Sequence, residues 1–175
     1  IEDAAVLIRK AERAVVLTGA GISTPSGIPD FRSEGSGLWS HDEPMEVASL
    51  HTFRTAPERF FNWFQPLAGQ IFNAQPNAAH KALAQFEATG HVRTIITQNI
   101  DALHHKAGSK NVVEMHGTLR TVSCTSCFKQ FESTPFLQPY IETGNIPKCL
   151  SCNGILKPDV ILFGEQLPQS AWMEA

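Results

Sequence analysis

The chain has 175 residues, of which 42% are hydrophobic and 18% are charged, and its formal net charge is −3. This length allows one substantial core with a small satellite and excludes two full domains. Because the sequence contains neither a Lys/Arg run nor an apolar stretch of about eighteen residues, we expect no direct binding of nucleic acid, no membrane span and a cytoplasmic protein.

A helix and a strand open the chain. Residues 1–13 place Ala4, Leu7, Ile8 and Ala11 on one helical face. The run AVVLT at 14–18 is short, apolar and followed by a glycine, which is typical of a buried strand. The pattern therefore predicts helix, strand and glycine loop in that order.

A second helix and strand follow after an irregular, aromatic-rich region at 34–76. Asn77 is placed to cap a helix that stops at Gly90, with Leu83 and Phe86 facing inward. The run HVRTIIT at 91–97 then predicts a strand.

Two further runs, VVEMHG at 112–117 and DVILFG at 159–164, indicate more buried strands. Alternation of helices and strands predicts an α/β fold built on a parallel sheet. The segment 118–157 interrupts this alternation with the short β-like pieces LRTVS and FKQFE and with all the cysteines, and we interpret it as an inserted module.

The four cysteines form one pattern, two C-x-x-C pairs separated by twenty-one residues: Cys124, Cys127, Cys149 and Cys152. This spacing is typical of a four-thiolate structural zinc site, which is closed to water and substrate. Two disulfides or a redox C-x-x-C pair are the alternatives, and neither suits a chain without an export signal or a thioredoxin context.

The glycine loop begins like a dinucleotide-binding fingerprint and then departs from it. Gly19 and Gly21 follow a strand, but Thr24 occupies the third glycine position and Pro25 and Pro29 forbid a regular helix. An ordinary strand-to-helix turn would explain the glycines equally well. The following PDFR segment brings an acid, an aromatic ring and a cation together on a loop.

Two more polar groups follow predicted strands, where α/β sheets bind their ligands. Gln98, Asn99 and Asp101 come directly after the strand at 91–97, although capping of the local loop would also account for them. His116 follows the next strand and is a candidate general base for a hydroxyl group.

Taken together, GAGIS, SGIPDFR, TQNID, LH, EMHG, two C-x-x-C pairs and KPDVILFGE resemble the sirtuins, the NAD-dependent protein-lysine deacylases, in order and spacing along essentially the whole chain. The resemblance implies a Rossmann-like lobe (1–117 and 158–175) that includes a helical cofactor-binding module at 34–76. It also implies a small zinc-ribbon insert at 118–157. The chain ends where sirtuins continue with the adenosine-binding part of this lobe, so we expect a C-terminally truncated fragment that binds NAD poorly by itself.

The resemblance also implies roles for individual residues. His116 would be the general base and Asn99 would assist catalysis. The NAD contacts would come from Gly19, Ala20, Gly21, Thr24, Asp30, Phe31, Arg32, Trp39, Gln98, Asn99, Ile100 and Asp101. Substrate peptide would pair with the strand formed by Val160, Ile161, Leu162, Phe163 and Gly164.

In the sirtuin reaction the acyl-lysine oxygen attacks ribose C1′ of NAD and releases nicotinamide, and the products are free lysine and O-acetyl-ADP-ribose. Acetylated-lysine proteins or peptides are thus the expected partners, with NAD as cosubstrate and Zn²⁺ as a structural metal. Because 59–69 lacks the Tyr-x-x-Arg pair of succinyl- and malonyl-preferring members, we expect an apolar acyl pocket and deacetylation.

Four other functions remain open on the residues alone. ADP-ribosyl transfer uses the same cleavage step, an NAD(P)-dependent oxidoreductase shares the glycine loop, and a zinc-ribbon interaction module explains the cysteines. A non-catalytic fragment is the fourth. The oxidoreductase lacks its acidic residue at the end of a second strand, since Asp42 and Glu43 lie in the irregular region.

Overall fold

The computed structural model describes residues 2–31, 33, 35, 37–40 and 42–175. Its helices are α1 (Glu2–Lys10), α2 (Pro44–Val47), α3 (Leu50–Thr55), α4 (Pro57–Asn73), α5 (Ala78–Ala88), α6 (Leu103–Lys106), α7 (Thr134–Thr143) and α8 (Gln169–Glu174). Its strands are β1 (Ala14–Thr18), β2 (Val92–Thr97), β3 (Val112–Glu114), β4 (Gly117–Cys124), β5 (Gln130–Glu132) and β6 (Leu156–Val160). None of the described helices has the length and apolarity needed to cross a membrane.

A parallel three-stranded sheet, in the order β1-β2-β3, carries the glycine loop. Thr18 is in register with Thr97, which is in turn in register with Glu114. All three strands therefore end at the same edge, so the loops that follow them meet there. The predicted α/β architecture is confirmed.

A second, antiparallel sheet in the order β5-β4-β6 follows. The prediction that 159–164 forms a strand of the parallel sheet is wrong: β6 comprises Leu156–Val160 and pairs antiparallel with β4. Alternate residues of β6, namely Leu156, Pro158 and Val160, are buried, a period of two that suits a strand with only one face in the core. The strand ends at Val160, and beyond it Phe163 forms an isolated bridge with Ser49.

The predicted helices α1 and α5 are confirmed, but their apolar faces are less buried than expected. The Asn77 side chain caps α5 by accepting from the backbone N–H of Ala79 at 2.9 Å. Leu83 is half-buried and Phe86 is 38% exposed, so the expectation that Phe86 faces inward is wrong. Leu7 of α1 is 70% exposed.

The main hydrophobic core lies between the helices of the aromatic region and the antiparallel sheet. Phe60 and Phe64 of α4 stack with ring centroids 5.3 Å apart, and Tyr140 of α7 packs edge-on against Phe61 at 5.3 Å. Fully buried Val122 and Leu156 of the antiparallel sheet belong to the same cluster. This core ties α4 to the cysteine-bearing part of the chain.

Candidate functional site

The loops that follow β1, β2 and β3 meet at the carboxyl edge of the parallel sheet. Backbone hydrogen bonds connect them: Gln98 donates to the Thr18 carbonyl at 3.0 Å and Met115 donates to the Thr97 carbonyl at 2.8 Å. Each loop thus begins where its strand stops, as the sequence predicted. This edge is the usual place for ligands on an open α/β sheet.

The glycine loop contains two short 3₁₀ turns, Ala20–Ile22 and Thr24–Ser26, in place of a regular helix. The prolines account for this, because Pro25 cannot donate to a helical ladder. Gly27 then takes a left-handed conformation with φ of 86°. The Thr24 hydroxyl donates to the Gly21 carbonyl at 3.0 Å, and Thr24 does not line the cleft described below.

Asn99 and Asp101 are joined to the glycine loop through Ser23. The Asn99 side-chain amide donates to the Gly19 carbonyl and to the Ser23 hydroxyl, both at 3.1 Å. Ser23 donates in turn to Asp101 at 2.6 Å, and Asp101 also accepts from the backbone N–H of Leu103 at 2.8 Å. Asp101 therefore caps its local loop, as the alternative interpretation expected, and also binds the distant Ser23.

This network leaves one Asn99 atom for a ligand. Both amide protons are used, and Oδ1 makes no hydrogen bond within the described part of the chain. Asn99 is 9% exposed and borders the cleft. Its Oδ1 can therefore accept from a ligand hydroxyl or a bound water.

Ser23 is a site residue that the sequence analysis missed. It is 1% exposed, and its partners Asn99 and Asp101 lie more than seventy residues away in the chain. Its place as the last residue of GAGIS, between Gly21 and Thr24 in the glycine loop, was the available signal.

A buried histidine pair lies beneath the network and was also missed. His104 Nε2 is 3.0 Å from the Thr18 hydroxyl, and the rings of His104 and His80 meet edge-on at 4.9 Å. Burial lowers the pKa of His104 to about 4, helped by the neighbouring His80 and opposed by Asp101. Burial likewise lowers the pKa of His80. Both imidazoles are therefore neutral at neutral pH.

The His116 ring is held by a hydrogen bond to the backbone of Gln98, in the loop that follows the adjacent strand. Its Nδ1 is 3.0 Å from the Gln98 carbonyl, which can only accept, so Nδ1 carries the proton. Nε2 is consequently the nitrogen with a free lone pair. The side chain is half-buried and lines the cleft.

One open cleft of about 1130 Å³ collects most of the predicted site residues. Those that line it are Gly19, Ala20, Gly21, Asp30, Phe31, Trp39, Gln98, Asn99, Ile100, Asp101, His116, Val160, Ile161, Leu162, Phe163 and Gly164. Arg32 lies outside the described residues. The charged side chains among the described lining residues are Asp30, Asp101 and Glu165, so the described wall carries carboxylates and neither Lys nor Arg.

The loop that carries Asp30 and Phe31 is closed at its base by two backbone hydrogen bonds. Leu38 donates to the Asp30 carbonyl at 2.9 Å and Trp39 donates to the Phe31 carbonyl at 3.0 Å. The Asp30 carboxylate accepts from the backbone N–H of Ser33 at 2.8 Å. Asp30 and Phe31 are thereby held beside the glycine loop.

The segment 160–164 forms another wall of the cleft, and most of its backbone is already paired. Ile161 donates to the His116 carbonyl at 2.9 Å, and Phe163 donates to Ala48 at 3.0 Å while it accepts from Leu50 at 2.9 Å. Leu162 donates to the Glu165 carboxylate at 2.8 Å. Within the described part of the chain, the N–H and C=O of Gly164 have no such partner, so they are available to a ligand backbone.

The four cysteines converge as the sequence predicted. All four Sγ atoms lie within 4.8 Å of one another, with Cys124 and Cys152 at 3.4 Å and Cys127 and Cys149 at 3.7 Å, and all are free thiols. Thiolates at about 2.3 Å from a tetrahedral zinc ion lie about 3.8 Å from each other. The cluster therefore fits Zn²⁺, and no S–S bond joins any two of these four cysteines.

The two C-x-x-C pairs repeat one local structure. In the first pair, the backbone N–H of Cys124 donates to the Lys129 carbonyl, and the Cys124 carbonyl accepts from the backbone N–H of Phe128. In the second pair, Cys149 makes the same two backbone hydrogen bonds, to the Gly154 carbonyl and from the Asn153 N–H. Phe128 and Asn153, one after each pair, both have φ of 60°. Backbone N–H groups also point at sulfur, as Cys127 N lies 3.4 Å from Cys124 Sγ, and they lower the pKa of Cys124 to about 6. At Cys124 this hydrogen bonding favours the thiolate form that a metal needs.

Comparison with known proteins places this arrangement among relatives. The sequence profile of the Sir2 family matches residues 19–175. The chain is 45% identical over 163 residues to NAD-dependent protein deacylase 1 of Archaeoglobus fulgidus, covering 92% of this chain and 64% of that protein. It is 46% identical over 170 residues to NAD-dependent protein deacetylase 2 of Caldanaerobacter subterraneus subsp. tengcongensis, covering 97% and 68%.

A solved Sir2–p53 peptide–NAD+ complex is similar to this fold, with a TM-score of 0.86 and 38% sequence identity over 99% of this chain and 68% of that chain. The chain thus spans about two thirds of the length of the relatives it matches.

Proposed function

The chain belongs to the Sir2 family, and on that premise we propose that the protein is an NAD-dependent protein-lysine deacetylase whose reaction takes place in the cleft described above. The observation that carries the proposal is the arrangement of side chains at the carboxyl edge of the parallel sheet. There Asn99, tied to the glycine loop, and His116, with a free Nε2, border one cavity.

We propose that the glycine loop and the segment 98–101 hold NAD. Gly19, Ala20 and Gly21 line the cleft, and the space beside both glycines is open, which suits a phosphate close to the backbone. Asn99 Oδ1 and the ordered Asp101 would orient the ribose. NAD, when bound, supplies an electrophilic ribose carbon and nicotinamide as a leaving group.

His116 would act as the general base. Its Nδ1–H is fixed by the Gln98 carbonyl, so Nε2 can accept a proton from a ribose hydroxyl without a change of tautomer. Asn99 would position that hydroxyl or a water. Phe31, Ile100 and other apolar lining residues would exclude bulk water.

The acyl-lysine peptide would enter along 160–164. Gly164 offers unpaired backbone groups for strand-like pairing, whereas the backbone of Phe163 is already bound to α2–α3 residues. Recognition through backbone would give affinity with little dependence on peptide sequence. Acetylated-lysine proteins are the proposed partner class.

Zinc would be held by the four cysteine sulfurs with a structural role. Four thiolates leave no open position for substrate, and the cluster is not among the residues lining the cleft. We propose that 118–157 is a zinc-ribbon insert in a Rossmann-like lobe comprising 1–117 and 158–175, with a helical cofactor-binding module at 34–76.

The test is product analysis with the full-length protein, NAD and an acetyl-lysine peptide. We expect nicotinamide release and loss of the acetyl group by mass spectrometry. His116→Ala should reduce turnover at least about 100-fold because a positioned general base contributes that much or more. His51→Ala, at an exposed position outside the cleft, is the matched control and should retain turnover and zinc content.

Other products would identify other functions. ADP-ribose attached to protein without deacetylation would favour ADP-ribosyl transfer, and NADH absorbance would favour an oxidoreductase. Unchanged turnover in His116→Ala would assign the base elsewhere.

A further inference from the structure

Three aromatic rings from three parts of the chain meet at Trp39. Trp39 stacks on Phe31 with centroids 5.2 Å apart and planes inclined by 25°, and on Trp63 of α4 at 5.8 Å and 12°. Phe163 meets the same indole edge-on at 6.0 Å and 66°. These are the offset-stacked and edge geometries that aromatic pairs prefer.

The contacts of Trp39 connect the two proposed ligand regions. Phe31 lies beside the glycine loop, where NAD is proposed to bind, and Phe163 lies in the segment proposed to receive the peptide. Trp39 is also joined to Phe31 through its backbone, since its N–H donates to the Phe31 carbonyl at 3.0 Å. The indole is therefore shared by both sides of the cleft.

One partner ring, Trp63, is anchored in the helix, and another, Phe163, is accessible. Trp63 belongs to α4, whose neighbouring Phe60 and Phe64 are buried. The Phe163 backbone is fixed by hydrogen bonds to Ala48 and Leu50, yet its side chain is 45% exposed toward the cleft. A peptide lying on 160–164 would cover that ring and restrict it.

We propose that Trp39 is a positioning residue that couples the binding of the acyl-lysine peptide to the binding of NAD. Each ligand restricts one end of the same set of stacked rings, so the second ligand meets rings that are already ordered. The coupling is therefore positive, and by linkage each ligand raises the affinity of the other by the same factor. This inference rests on the proposed function.

The experiment measures linkage, with ADP-ribose as an unreactive probe for the NAD region. Calorimetry of the full-length protein gives the ADP-ribose Kd with and without an acetyl-lysine peptide, and the peptide Kd with and without ADP-ribose. We expect the peptide to lower the ADP-ribose Kd about tenfold, and ADP-ribose to lower the peptide Kd by the same factor. Trp39→Leu should reduce the factor below about twofold, whereas Trp39→Phe, which keeps a ring, should retain more than about threefold.

Trp172→Leu is the matched control, because Trp172 is 64% exposed on α8 and outside the cleft, and it should keep the wild-type factor. Zinc content and near-ultraviolet circular dichroism verify folding. If Trp39→Leu does not fold, Phe31→Leu replaces it with the same expected loss, since it removes the cofactor-side ring.

A folded Trp39→Leu or Phe31→Leu variant that keeps the tenfold factor overturns the proposal. So does a variant that weakens both ligands equally at an unchanged factor, which is the signature of a merely structural residue. If the wild-type protein releases nicotinamide but neither ligand changes the Kd of the other, the coupling is overturned while the proposed function stands. Protein that neither binds ADP-ribose nor releases nicotinamide contradicts the proposed function as well.

Discussion

Gly117 comes directly after His116, the proposed general base, and its backbone lies very close to that of β6. Its φ is 76°, and a Cβ at this position would lie 2.1 Å from the Asp159 carbonyl oxygen. That oxygen belongs to a paired strand, so it cannot move aside as a flexible side chain could. Only glycine allows β4 to begin here.

Gly117→Ala should therefore lower the free energy of unfolding by about 3 kcal/mol or more, since the left-handed conformation costs about 1–2 kcal/mol and the clash adds to it. Chemical denaturation measures the loss. Gly90→Ala is the matched control: its φ is 79° but nothing lies within 4 Å of the added carbon, so a loss of about 1 kcal/mol is expected. Equal losses in the two variants would contradict the close contact.

The buried His104 predicts a pH dependence of stability. Its pKa is about 4 in the folded protein, below the ordinary value of 6.5. As the pH falls, His104 therefore takes up a proton near pH 6.5 in the unfolded chain but only near pH 4 in the folded chain. The contribution of neutral His104 to the free energy of unfolding is thus complete above pH 6.5 and is lost as the pH falls toward 4. Urea midpoints across this range should fall, and His104→Gln should flatten the slope. His91→Gln, a half-buried control distant from the pair, should leave the slope unchanged.

At the residue scale, sequence reasoning found the groups that follow a strand and missed those whose partners are distant. Asn99, Asp101 and His116 follow strands whose ends are readable from apolar runs. Ser23 and His104 acquire their positions from contacts 78 and 86 residues away in the chain. No local pattern reports such a contact.

At the scale of elements, strand β6 shows where pattern reading fails. An apolar run such as VILFG indicates burial but does not distinguish a parallel from an antiparallel neighbour. The partner was decided by the turn at Gly117, which sends β4 alongside β6. The cysteine spacing succeeded because four ligands at two tight turns leave few alternative geometries.

The element most dependent on metal should be the antiparallel sheet. The first C-x-x-C pair begins at the last residue of β4, and the second comes shortly before β6. Between the two pairs, α7 contacts α4 through the Tyr140 hydroxyl, which donates to the Phe61 carbonyl. Removing zinc should lower the melting temperature by roughly 10 °C or more, because metal binding and folding of such a module are coupled.

Calorimetry of the chelated protein, with zinc content measured in parallel, checks this expectation. Cys127→Ser should behave like the chelated protein, while Ser126→Ala, beside it in the same knuckle, should keep both zinc and melting temperature. Complete removal of zinc without a change in melting would contradict a structural metal.

At the scale of the whole molecule, we expect the charges that line the cleft to set the acyl preference of the proposed reaction. Its described wall offers carboxylates at Asp30, Asp101 and Glu165 without a Lys or Arg to pair with an anionic acyl group. We expect turnover of succinyl-lysine peptide to be at least about tenfold lower than that of acetyl-lysine peptide, since an unpaired carboxylate in such a site is disfavoured. Steady-state kinetics on two peptides that differ only in the acyl group decide it, with propionyl-lysine as the neutral control. Faster turnover of the succinyl-lysine peptide than of the acetyl-lysine peptide would contradict this expectation.

The continuous core between α4 and the antiparallel sheet has a consequence for how the molecule opens. Tyr140, Phe61, Phe64, Val122 and Leu156 share one buried cluster, whereas Val15 and Leu17 of β1 are 54% and 68% exposed. Local stability follows burial, so native-state hydrogen exchange should show α4, α7, β4 and β6 opening together as one cooperative unit, with β1 exchanging earlier. The wall of the cleft that carries the aromatic helix would then share its unfolding with the cysteine-bearing sheet, although the proposed catalytic groups belong to the other sheet.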